Sequence, residues 1–165
     1  GIFLAGEGDL GGDDVITALR DRLGAGVVLI ASDGFYDDGS LSDLGSAAEG
    51  MYVTQAGVPI DALGGTWGLL LRQFDASQPE GTGFFAVPET MQAVELLLQA
   101  IARSDGTRRS VLEQLRQTQI ENGVLGSFRF DARGDRSPRV ITVERAERGR
   151  FVFDRRISVP TTFVP

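Results

Sequence analysis

The chain has 165 residues, 42% of them hydrophobic, and a formal net charge of -7. That length suits one domain or two small lobes, and the negative field disfavours nucleic acid and anionic membrane as partners. There is no Cys, no His and, because all 16 basic residues are Arg, no Lys, which excludes thiol nucleophiles, thiolate zinc sites, histidine triads, Schiff-base lysines and P-loop lysines within the chain.

No metal site and no cofactor are expected, and any chemistry would fall to carboxylates, hydroxyls and Arg. No apolar run approaches bilayer length, and no signal peptide is visible. Gly1 to Ala5 starts in the middle of a strand pattern, so the chain reads as a fragment of a longer polypeptide.

Ile2 to Ala5 reads as a short buried strand, and Gly6 to Gly12 as a glycine-rich turn. The spacing of Val15, Leu19 and Leu23, with Ile16 beside them, predicts a helix over Asp13 to Leu23. Asp13 and Asp14 lie in its first turn, Arg20 and Arg22 near its end, and Gly24 fits the stop. Val27 to Ile30 is an unbroken apolar run, the pattern of a strand buried on both faces in a parallel sheet. The two strands and the helix between them make a right-handed β-α-β unit.

The run ends in Ala31-Ser32-Asp33-Gly34-Phe35-Tyr36. An acid just past a buried strand sits at the carboxyl edge of the sheet, where ligands bind in open α/β folds. Asp33 reads either as a ligand contact there or as a cap of the following turn.

Ser40 to Gly45 reads as a short helix and Met51 to Gln55 as a third strand. Gly57-Val58-Pro59 breaks the pattern. Trp67, Leu70, Leu71 and Phe74 mark one face of a helix, and Asp75 to Gly83 is a polar loop. The longest helix runs from about Ala86 to Ser104, with Pro88 in its first turn. Its stripe of Val87, Met91, Val94, Leu98 and Ile101, widened by Leu97, is expected in the core. Another helix runs to about Gln117, capped by Thr107 or Ser110; Ser110 and Glu113 have capping-box spacing. A β meander closes the chain: Leu125 to Phe130, a turn over Asp131 to Asp135, then Val140 to Val143 and Phe151 to Phe153 as an antiparallel hairpin across Glu147 to Gly149.

Gly6-Glu7-Gly8-Asp9-Leu10-Gly11 matches G-x-G-x-x-G between a strand and a helix, and Asp33 lies 22 residues beyond Gly11. On spacing this is the dinucleotide fingerprint. Its chemistry points elsewhere. Glu7, Asp9, Asp13 and Asp14 would all face a pyrophosphate that needs N–H groups and positive charge. A cationic or ammonium-bearing ligand suits this turn better.

Several segments together, IFLAGEG, VVLIASDGFYD, AAEGMYVTQAG, ETMQAVELLLQAIARSDGTRRSVLEQLRQT, NGVLGSFRFDARGD and RVITVERAERGRFVFDR, resemble the C-terminal half of the type I periplasmic solute-binding proteins. These include the branched-chain amino acid binders of ABC importers. The resemblance covers nearly the whole chain in order. It implies an α/β fold, a mostly parallel sheet with flanking helices and a C-terminal antiparallel hairpin, as part of a bilobed protein. Residues 1–57 and 139–160 would belong to the second lobe, and 58–138 to the first. It implies no enzymatic activity.

In the amino acid binders of that family the acid matching Asp33 takes the ligand ammonium, a charge-assisted bond of about 2.8 Å. Phe35 and Tyr36 would shape the cleft wall. The turn of Glu7, Gly8 and Asp9 matches one that often carries an aromatic against the ligand. Glu7 in that place points either to a more polar or cationic ligand or to a solvated turn. The implied partners are a small amino acid or amine and an ABC permease, in the periplasm or outside the cell, with lipoprotein attachment left open. A chain cut at this point would expose apolar faces, so self-association is expected. A receptor's sensor domain, an NAD-dependent oxidoreductase fragment and a hydrolase using Asp33 with Glu7 or Asp9 are the alternatives.

Overall fold

The computed structural model describes residues 1–36, 38–56, 63, 65–77 and 86–159. The expected break at Gly57 to Pro59 and most of the loop up to Gly83 lie outside the described residues. These fall into two compact units. One holds 1–36, 38–56 and 141–157; the other holds 63, 65–77, 86–140 and 158–159.

The first unit is built on β1 (Ile2–Leu4), α1 (Asp13–Leu23), β2 (Leu29–Ala31), α2 (Asp38–Leu44) and β3 (Tyr52–Ala56). β1, β2 and β3 are parallel, with Ile2 opposite Leu29 and Ala31 opposite Val53. The chain returns much later as β7 (Arg139–Glu147) and β8 (Arg150–Val159), giving the order β1-β2-β3-β7-β8. β7 runs antiparallel to β3, with Thr54 opposite Val143. The β7–β8 turn places Arg148 at φ 54° and Gly149 at φ 73°.

The core of this unit is Ile16, Leu29, Ala31, Phe35, Leu41, Leu44, Met51 and Val53, with Ala48 and Ala146. α1 has the bounds its pattern predicts, but Ile16 is its one buried residue; Val15 and Leu23 are exposed. The expected two-sided burial of Val27 to Ile30 narrows to Leu29 and Ala31, and Val28 is exposed. Arg20 ties the end of α1 to its surroundings. Its guanidinium donates to the carbonyls of Val27 (2.7 Å), Ala47 (3.0 Å) and Glu49 (3.1 Å). Backbone acceptors that loops would leave to water are thus satisfied.

The second unit contains α3 (Gly65–Ala76), α4 (Val87–Arg103), α5 (Arg108–Gln117) and a three-stranded antiparallel sheet of β4 (Gln119–Gly123), β5 (Gly126–Phe130) and β6 (Arg136–Ser137). Thr107 caps α5 by accepting from the Ser110 N–H at 3.2 Å. The capping-box reading gives way to this, because Glu113 pairs with Arg109 at 3.1 Å instead. The Asp131 turn forms as expected, its carboxylate accepting from the N–H groups of Arg133 and Asp135.

α4 corrects the sequence reading. Its buried residues are Pro88, Gln92, Leu96 and Ala100, one per turn. Val94, Leu97, Leu98 and Ile101 are 45–61% exposed. The large apolar residues share one face, while the line that is buried runs along the side that also carries Glu89, Glu95 and Gln99. The apolar period therefore pointed to a different face from the one this unit covers. Buried Gln92 donates to Glu95 at 2.8 Å and accepts from the Leu125 N–H at 3.4 Å. Gly123 leaves it room, since a Cβ there would collide with the Gln92 amide oxygen.

Candidate functional site

β1 and β2 are parallel, so both chains leave the sheet at the same edge. The turn after β1 carries Glu7, Gly8 and Asp9, and the turn after β2 carries Asp33, Gly34, Phe35 and Tyr36. The Ser32 N–H donates to the Leu4 carbonyl at 3.0 Å, extending the pairing by one step. The Ser32 hydroxyl then accepts from the Gly6 N–H at 3.3 Å and donates to the Gly6 carbonyl at 3.0 Å. Asp33 to Phe35 form a short 3₁₀ turn, closed by the Tyr36 N–H on the Asp33 carbonyl at 2.9 Å.

Glycines let the two turns interlock. A Cβ at position 34 would collide with the Gly6 carbonyl oxygen and lie 2.8 Å from the Glu7 Cγ. A Cβ at position 12 would lie 2.5 Å from the Phe35 ring. Gly8 is buried, and a Cβ there would collide with the Ser40 hydroxyl and approach Asp13 Oδ1 to 2.9 Å. The Gly8 backbone is thus packed against the protein's own side chains.

The sequence-predicted residues therefore come together, in different roles. Glu7, Asp9 and Asp33 are exposed. Among the described residues no Arg forms an ion pair with any of the three. Phe35, expected on a cleft wall, is a core residue at 2% exposure, and its ring supports the turns from beneath. Tyr36 is half-buried and stacks on Phe151 of β8, with ring centroids 4.8 Å apart. The sequence reading missed Ser32, Gly12 and Gly34 as the groups that join the turns. A serine before a strand-end acid carries no pattern of its own. No group of three or more acids that could hold a metal ion occurs among the described residues. No described helix is long and apolar enough to cross a membrane.

The fold has known counterparts. The chain aligns over 95% of its length with a leucine-binding protein of Thermotoga maritima, at 23% identity and TM-score 0.76. It aligns over 92% with an ABC transporter substrate-binding protein of Desulfitobacterium hafniense solved with Leu, at 27% identity and TM-score 0.70. A branched-chain amino acid transporter substrate-binding protein of Streptococcus pneumoniae, solved with isoleucine, aligns over 96% at 17% identity and TM-score 0.72. The fold is periplasmic-binding-protein-like. The chain spans only 42–44% of these three proteins. No protein-family description matches it, and no curated protein matches it in sequence.

Proposed function

We propose that the chain is the C-terminal part of an extracytoplasmic solute-binding protein of an ABC importer, with no enzymatic activity of its own. In this reading the first unit belongs to one lobe, the second unit to the other, and an amino acid or related small polar ligand binds in a cleft between the lobes. A permease is the downstream partner. The observation that carries the reading is the pair of exposed turns, with Asp33 and Glu7, at the carboxyl edge of a parallel sheet. It stands in a fold shared with proteins whose complexes hold leucine and isoleucine.

Asp33 takes the ligand ammonium. Gly8 and Phe35 hold the turns from the core side, and Tyr36 flanks them. Glu7, with Asp9 near it, adds negative charge to the same edge. That favours a ligand with a polar or cationic side chain over a branched aliphatic one, because a carboxylate left beside an apolar side chain loses hydration without gaining a partner. The chain by itself associates through apolar surface such as the exposed stripe of α4.

A thermal-shift screen of the full-length protein against amino acids, amides, polyamines, sugars and NAD tests this. Saturating ligand at a hundredfold excess over Kd stabilises by about 2.7 kcal/mol. A shift with an amino acid or amine that disappears in Asp33→Ala is expected. Retention of binding in Asp33→Ala rules out the ammonium role, and a shift with NAD alone overturns the reading in favour of the dinucleotide one.

A further inference from the structure

We infer that the Ser32 hydroxyl is a positioning group that locks the Glu7 turn to the Asp33 turn and so sets how the two carboxylates are presented together; this rests on the binding role proposed for that edge. Ser32 immediately precedes Asp33, and Gly6 immediately precedes Glu7. The hydroxyl accepts from the Gly6 N–H at 3.3 Å and donates to the Gly6 carbonyl at 3.0 Å. A group that serves both polar atoms of one residue fixes its orientation as well as its distance.

Neither carboxylate is held by an ion pair or side-chain hydrogen bond among the described residues, so their separation is a property of the two backbones. Among the described residues the next hydrogen bond joining these segments, Ser32 N–H to Leu4, lies further back along the strand. The close approach of Gly34 to Gly6 and Glu7 sets a lower limit on the spacing. Sterics of that kind stop the turns from closing but do not stop them from separating. The hydroxyl supplies the restraint in that direction.

The test compares Ser32→Ala and Ser32→Thr with the wild type in the full-length protein. Hydrogen exchange at the Gly6 amide needs no ligand. Loss of one hydrogen bond predicts about fivefold faster exchange there in Ser32→Ala, with Ala31 in the strand unchanged and Ser32→Thr like the wild type. Calorimetry then uses L-arginine, which can engage both carboxylates, and L-leucine, which can engage one. Ser32→Ala is expected to shrink the ratio of their Kd values several-fold, and Ser32→Thr to keep it. Unchanged Gly6 exchange in Ser32→Ala overturns the inference. So does faster exchange with an unchanged arginine-to-leucine ratio. A wild type that binds neither probe refutes the binding preference proposed above, and the Gly6 exchange rate then decides by itself whether Ser32 locks the turn.

Discussion

In the first unit Leu29 of β2 has no exposed surface, whereas in the second unit Leu98 of α4 is 61% exposed. Both are leucines in regular elements with apolar neighbours. The difference lies in what each element is given to pack against. β2 has strands on either side and Ile16 of α1 in the same core. α4 buries the line of Pro88, Gln92, Leu96 and Ala100 and leaves its larger residues outside. An apolar stripe reports that a face is meant to be covered, and only the fold says whether the covering is present.

Truncating the two leucines sharpens this contrast the most. Leu29→Ala is expected to cost about 3 kcal/mol in chemical denaturation followed by circular dichroism, through lost burial and the cavity left behind. Leu98→Ala is expected to stay within about 0.5 kcal/mol. Equal costs would mean that the α4 stripe is covered in solution. Leu98→Glu then separates the cases: sedimentation should show less association of the 165-residue chain than in the wild type.

Next in size is Gly34→Ala, where the added methyl meets the Gly6 backbone. A cost of about 1–3 kcal/mol is expected, with loss of ligand binding in the full-length protein. In the second unit Thr107→Ala is expected to cost about 1 kcal/mol for the lost cap of α5. The smallest effect concerns pH. Hydrogen bonds from the Thr107 hydroxyl and backbone hold Asp105 below the usual carboxylate range. Its folded value is depressed, so its contribution is present above about pH 4 and fades as pH falls through the folded value. Asp105→Asn should flatten the acid limb of the stability curve by lowering neutral stability slightly, with little change at pH values below the folded one.

Most element positions in both units were legible, because helix and strand periods differ and glycines mark the ends. α1 was bounded correctly by Asp13 and the Gly24 stop. β4 was missed: Gln119 to Gly123 offers Ile120 alone as an apolar anchor, Asn122 has φ 58°, and the strand exists by pairing with β5. At the site, the strand-end place of Asp33 was visible in the run before it. The burial of Phe35 was not, because an aromatic next to a glycine can face either way. The interlock of Gly34 with Gly6 joins residues far apart in sequence, and nothing local announces it.

The sheet of the first unit is discontinuous in the chain. β3 ends at Ala56, and its partner β7 begins at Arg139. At a synthesis rate of about 5–20 residues per second, the free edge of β3 waits on the order of 4–16 s for its neighbour to leave the ribosome. α3, α4 and α5 emerge during that interval, with the α4 leucines uncovered. For the nascent polypeptide, the open edge and the apolar helix coexist before the hairpin arrives, and that interval is when chaperones or neighbouring nascent chains have most to bind.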